Sequence, residues 1–134
     1  MNKVIVTVEL SENNYSSFIE ELPGCVATGK TFEELKTNMQ EAVGFHLETS
    51  REFGDEFPAV FDSGFELVFK FDTASLLQHY RGVFTNSALE RITGINQRQL
   101  QRYASGKSKP RAAQIAKISE ALHTMGRELL VVEL

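Results

Sequence analysis

Between Thr85 and Leu122 the chain sets two short amphipathic segments around Gly94, and few folds accept that arrangement. Ala88, Leu89 and Ile92 form the apolar side of the first segment, Ile95 follows the glycine, and Leu100 and Tyr103 form that of the second. Short helices that lock together through such residues across a tight turn make a helix-turn-helix. With Leu100 and Tyr103 turned inward, Gln97, Arg98, Gln101 and Arg102 share the outer face, because Arg98, Gln101 and Arg102 stand at i, i+3 and i+4.

Charge divides along the chain. Residues 1–72 hold five Lys/Arg against fourteen Asp/Glu, a net −9, and residues 73–134 hold nine against four, a net +5. The overall −4 conceals this split. An acidic half joined to a basic half implies two surfaces, one for a polyanion and one for a basic partner. The single cysteine, Cys25, excludes an internal disulfide and a Cys-rich zinc site. No stretch approaches the ~20 apolar residues of a membrane span. The N-terminus opens on a strand-like run without a basic flank, so no signal peptide is expected and the chain is read as cytosolic.

The first half predicts a βββαβ order and an α+β domain over residues 1–72. Val4–Leu10 is a β-branched strand, Tyr15–Glu20 a second after the Glu12-Asn13-Asn14 turn, and Cys25–Gly29 a third after Pro23-Gly24. Thr31 caps a helix with Glu34 three residues on, and Phe32, Leu35, Met39, Val43 and Leu47 carry its apolar stripe to about Phe53. Phe65–Phe71 alternates as a fourth strand. Residues 73–134 predict an all-α domain closed by one strand. Its helices run from Asp72 or Thr73 to Tyr80, from Thr85 or Asn86 to Thr93, from Asn96 to Ala104, and from about Arg111 to Met125 with Gly126 as a stop. Leu129–Leu134 reads as a terminal strand.

The outer face of the second short helix has the chemistry of base recognition. Arg can grip guanine bidentately and Gln can do the same for adenine. Lys107, Lys109 and Arg111 follow Gly106, where the chain would track a phosphate backbone. A basic helix face by itself is ordinarily a solvated one. Here no acidic residue occurs from Thr93 to Ser119, which favours DNA.

This region resembles the Xre/λ-repressor type of helix-turn-helix domain, through Ile95-Asn96-Gln97-Arg98-Gln99-Leu100-Gln101-Arg102-Tyr103, then Gly106-Lys107-Ser108-Lys109-Pro110, then Ile115, Ile118, Ala121 and Leu122. The resemblance implies that Gln97, Arg98, Gln101 and Arg102 read bases; Ala104 departs from the family's usual polar residue. Residues Glu21-Leu22-Pro23-Gly24-Cys25-Val26-Ala27-Thr28-Gly29-Lys30-Thr31-Phe32-Glu33-Glu34-Leu35 resemble the HicB antitoxin family, with Lys30 where many relatives are acidic. That resemblance implies a partial RNase H-like βββαβ domain followed by a DNA-binding domain. It also implies an antitoxin that covers the active site of a small basic mRNA-cleaving toxin, HicA, and represses their shared operon. The candidate toxin contacts are Glu20, Glu21, Glu33 and Glu34, although Glu33 and Glu34 equally suit the start of a helix.

No enzyme is expected. The carboxylates form no set on adjacent strand centres of the kind that two-metal hydrolysis needs. His46, His79 and His123 lack partners at ligand spacing, and Cys25 has no nearby base in the sequence. No cofactor or metal is therefore assigned. Operator DNA, a small basic toxin and further copies of the chain, as a homodimer or higher even oligomer, are the expected partners. Dimerisation is expected because one recognition helix reads too few base pairs, with Leu129–Leu134 pairing with its two-fold mate or docking on the N-terminal sheet. The alternatives are a stand-alone helix-turn-helix regulator with a ligand- or protein-binding N-terminal domain, and a protein-interaction module whose helical half packs on another protein.

Overall fold

Strand β1 (Asn2–Ser11) alternates so that Val4, Val6 and Val8 are fully buried while Ile5 and Glu9 face the other way. Strand β2 (Asn14–Phe18) pairs antiparallel with it, placing Ser17 opposite Val8, and strand β3 (Val26–Gly29) pairs antiparallel with β2. Strand β4 (Phe65–Phe71) runs parallel to β1, from Asn2 opposite Phe65 to Val8 opposite Phe71. The sheet order is therefore β3-β2-β1-β4. In this computed structural model, which describes residues 1–134, these strands belong to the first of two compact units, Met1–Asp72 and Thr73–Leu134.

A parallel pair needs a long crossover, and helix α1 (Phe32–Phe53) supplies it. Leu35, Met39, Val43 and Leu47 recur every fourth residue and are buried in the core with the three valines of β1. The Thr31 hydroxyl accepts from the Glu34 amide at 3.1 Å and caps the helix. Gly54 ends it at φ 70°, with the Asp55 amide donating to the Ser50 carbonyl at 2.8 Å. Between β3 and α1 the chain passes so close to the helix that a Cβ on Gly29 would lie 2.6 Å from the Leu35 nitrogen. Phe32 fills the first-turn end of the core by edge contacts with Phe69 at 5.5 Å and Phe71 at 5.2 Å.

The second strand ends at Phe18, two residues earlier than the sequence suggests. The chain turns there, with the Leu22 amide donating to the Ile19 carbonyl at 3.1 Å, because Ile19 and Leu22 are both drawn into the core.

The second unit contains α2 (Thr73–His79) with a 3-10 turn at Tyr80–Gly82, then α3 (Asn86–Thr93), α4 (Gln97–Ala104) and α5 (Ala112–Leu130). Thr85 caps α3 by accepting from the Ala88 amide at 3.0 Å, and Gly94 closes it at φ 76°. Asn96 caps α4 by accepting from the Arg98 amide at 2.8 Å. Leu77, Leu89, Ile95, Leu100, Tyr103, Ala104 and Ile118 make the core. The structure is thus mixed α+β, with one four-stranded sheet and five α-helices. None of the helices is long and apolar enough to cross a membrane.

The terminal strand expected over Leu129–Leu134 does not form. Helix α5 continues through Gly126 to Leu130, and residues 131–134 are neither helix nor strand. An interior glycine costs a helix about 1 kcal/mol relative to alanine. The good helix formers Arg127, Glu128, Leu129 and Leu130 offset it, and Arg127 reaches back to Glu120 at 3.1 Å and Thr124 at 3.2 Å. The β-like composition of the last residues finds no strand to pair with, since the sheet consists of β1 to β4 alone.

Candidate functional site

Helix α4 carries the candidate nucleic-acid surface, and its neighbours decide how that surface is held. Burial of Leu100, Tyr103 and Ala104 takes one side of the helix and leaves Gln97, Arg98, Gln101 and Arg102 exposed on the other. Ala104, the departure from the usual polar residue, is 3% exposed and is simply core.

The four outer side chains are not equivalent. The Gln97 amide and its Nε2 both donate to the Glu90 carboxylate of α3, at 3.3 and 3.0 Å. The Gln101 Oε1 accepts from Asn86 Nδ2 at 3.1 Å, again from α3. No carboxylate clamps Arg98 or Arg102. A free guanidinium can present its planar fork of donors to a guanine edge or a phosphate, whereas each held glutamine has only its remaining amide group to offer.

Beyond α4, Gly106 turns the chain at φ 78° and the Ser108 amide donates to the Arg102 carbonyl at 3.2 Å. Gln99 Nε2 donates to the Ser108 hydroxyl at 3.2 Å, so the loop is fastened between two exposed lysines, Lys107 and Lys109. Arg111, also exposed, stands at the N-cap of α5 and its carbonyl accepts from the Gln114 and Ile115 amides. Gln78 Nε2 donates to the Ala104 carbonyl at 2.7 Å and ties the end of α4 to α2.

The fastening residues Gln78, Asn86, Glu90, Gln99 and Ser108 have no periodic signature, and sequence reasoning did not single them out. Glu90 is the instructive one. The sequence holds no acid from Thr93 to Ser119, yet folding brings this carboxylate onto the first turn of α4.

In the first unit the four candidate glutamates are exposed but not gathered. Glu20 and Glu21 lie in the turn after β2, while Glu33 and Glu34 form the first turn of α1. Because Phe18 pairs with Val26 and Tyr15 with Gly29, the two acidic pairs flank opposite ends of β3. That strand's rise alone separates those ends by roughly 10 Å. Glu33 is also engaged locally, with its Oε1 2.6 Å from Lys36 Nζ.

An open groove of about 430 Å³ lies at the Glu20–Glu21 end of β3, between Cys25 and Val26 on one side and Phe45, His46 and Thr49 on the other. Phe45 is 72% exposed and Val26 62%. Phe45 had a readable signal: it stands two residues after Val43, roughly 200° around the helix from the apolar stripe. Cys25 itself is buried, its Sγ 3.9 Å from Met39 Sδ, and burial pushes its thiol up in pKa, which keeps it protonated and unreactive. No group of three or more His, Cys, Asp or Glu side chains converges as a metal site would require.

Comparison with known proteins bears on the first unit. Residues 4–66 match the family model described as "HicB_like antitoxin of bacterial toxin-antitoxin system". A "UPF0150 protein" of Helicobacter pylori is 42% identical over 40 residues, 30% of this chain and 56% of that protein. An "uncharacterized 14.9 kDa protein in rep-hol intergenic region" of Haemophilus phage HP1 is 32% identical over 53 residues, 40% of each chain. The chain thus spans about half the length of the curated relatives it matches.

Proposed function

We propose that the protein is the antitoxin of a HicAB-like toxin–antitoxin pair, binding a small basic mRNA-cleaving toxin through residues 1–72 and operator DNA through residues 73–134. The observation that carries this reading is the antitoxin-family match over residues 4–66 in a unit of net charge −9. An acidic surface steers a basic RNA-binding protein and competes with its RNA. In this reading the unit is a partial RNase H-like domain used for binding, not for catalysis. Glu20 and Glu21 rim the partner surface, the exposed Phe45 and Val26 supply apolar anchors in the adjoining groove, and Glu33 and Glu34 attract from the far end of β3.

The second unit acts as a helix-turn-helix domain. Helix α4 lies in the major groove with Arg98 and Arg102 on base edges or phosphates, Gln97 and Gln101 beside them, and Lys107, Lys109 and Arg111 along the backbone. Two copies then read a two-fold operator and repress the shared operon, while each holds a toxin.

Tagged protein expressed with its native flanking DNA tests this directly. The expected result is stoichiometric co-purification of a small basic companion, identified by intact mass, that cleaves RNA once separated. Absence of any companion while operator binding persists would establish the stand-alone regulator instead, with its first unit taking another ligand. Specific binding of the helical unit that survives half-molar salt would argue for a protein partner on α4, since phosphate-driven affinity collapses there.

A further inference from the structure

Of the nineteen residues of α5, Ile118 alone is buried. Its stripe of Ile115, Ile118, Leu122, Met125 and Leu129 repeats at intervals of three and four, but only the first part meets the core of the unit. Beyond it Leu129 is 63% exposed and Val132 59%. A contiguous bare run of this kind marks an interaction surface.

Beside α5, against the end of α3, runs an open groove of about 570 Å³ whose lining includes Ile92, Ala113, Ala116, Ala121, Lys117 and Glu128. Lys117 and Glu128 are eleven positions apart, three turns that bring them within about 20° of one another around the helix. One face of α5 therefore carries a cation near its start, an anion near its end, and small residues between.

We propose that this face pairs antiparallel with the same face of a second copy, about a two-fold axis passing between Leu122 and His123. That axis places Lys117 opposite Glu128 of the second copy and Glu128 opposite its Lys117, the reciprocal pattern of an isologous interface. It also sets Ala116 opposite Leu129, so each protruding leucine enters the space left by a small residue. The centre, Ala121 against Thr124, admits close approach of the helices. A parallel pairing would instead stack lysine on lysine and glutamate on glutamate, which is repulsive. Glu120 does not complicate the pattern, because Arg127 of the same chain holds it at 3.1 Å. The pairing names the interface for the two-copy arrangement above and uses none of its DNA or toxin contacts.

Sedimentation of the full chain without DNA decides the matter. The protein is expected to be a dimer at micromolar concentration. Lys117→Glu and Glu128→Lys should each weaken dimerisation by roughly tenfold or more, since symmetry doubles every change, and the double variant should recover to within about threefold. Leu129→Asp, at an already exposed position, should be monomeric with unchanged circular dichroism. A dimer indifferent to both single charge reversals overturns this interface and leaves the two-copy reading standing. A wild-type monomer overturns the pairing outright, whereas loss of DNA binding in an intact dimer bears only on α4.

Discussion

The two units solve the problem of a small core in opposite ways. The first gathers twelve buried side chains from strands and a helix, and its central pair, β1 with β4, joins residues more than fifty positions apart. The second gathers seven, from helices that follow one another in sequence. The sheet unit hides one face of every strand and keeps binding chemistry for its surface, where acidic charge dominates. The helical unit buries so little of α4 and α5 that most of each helix remains available to something else. A small core leaves more of its elements free for partners, and a correspondingly narrower margin of stability.

Four experiments press on that contrast. Leu100 is fully buried at the centre of the smaller core, so Leu100→Ala should cost the helical unit about 2–5 kcal/mol, measured by denaturant unfolding followed at helical amides. A loss below about 1 kcal/mol would mean that the unit repacks freely and that its core is not the limiting element. Gly29→Ala should cost the sheet unit roughly 2–3 kcal/mol, because the new Cβ meets backbone at the Leu35 nitrogen and backbone cannot swing aside. Wild-type stability in that variant would show that the β3–α1 junction is softer than its geometry implies.

Binding comes next in magnitude. Arg98→Ala and Arg102→Ala should each lose about 1–3 kcal/mol on the specific site. Lys107→Ala and Lys109→Ala should weaken all sequences alike and lower the salt slope by about one. If both arginine variants retain operator affinity, α4 is not the reading helix. The smallest effect concerns His79, which packs edge-on against Tyr80 at 4.6 Å. Burial disfavours its imidazolium and holds its pKa below the ordinary 6.5. The unfolded chain therefore takes up this proton first, so the contribution is present above pH 6.5 and declines as pH falls below that value toward the folded one. A pH titration of unfolding should show a shallow loss that His79→Asn removes.

Much of the local structure was legible because short-range chemistry specifies it. Thr31 with Glu34, Thr85 with Ala88 and Asn96 with Arg98 are caps written within a few residues, and Gly54 and Gly94 end helices at positive φ where any other residue would be strained. Valine alternation in β1 and the fourfold spacing of α1 likewise reveal which side is buried. Gly126 and Leu129–Leu134 misled for the same local reason. A glycine ends a helix only if the residues after it stop propagating it, and a β-branched run becomes a strand only if an edge awaits it.

The candidate surfaces divide along that same line. Composition alone placed acid in one half and base in the other, and periodicity placed Gln97, Arg98, Gln101 and Arg102 on one face. Packing decided which of them are held: Glu90 and Asn86 restrain the two glutamines from a neighbouring helix, while the arginines remain free. Strand register decided that Glu20 and Glu21 lie apart from Glu33 and Glu34, and crossover geometry brought Phe45 beside Val26. Sequence determines periodicity, caps and net charge because those depend on neighbours a few residues away. Which exposed groups meet across elements depends on contacts that exist only once the cores have closed.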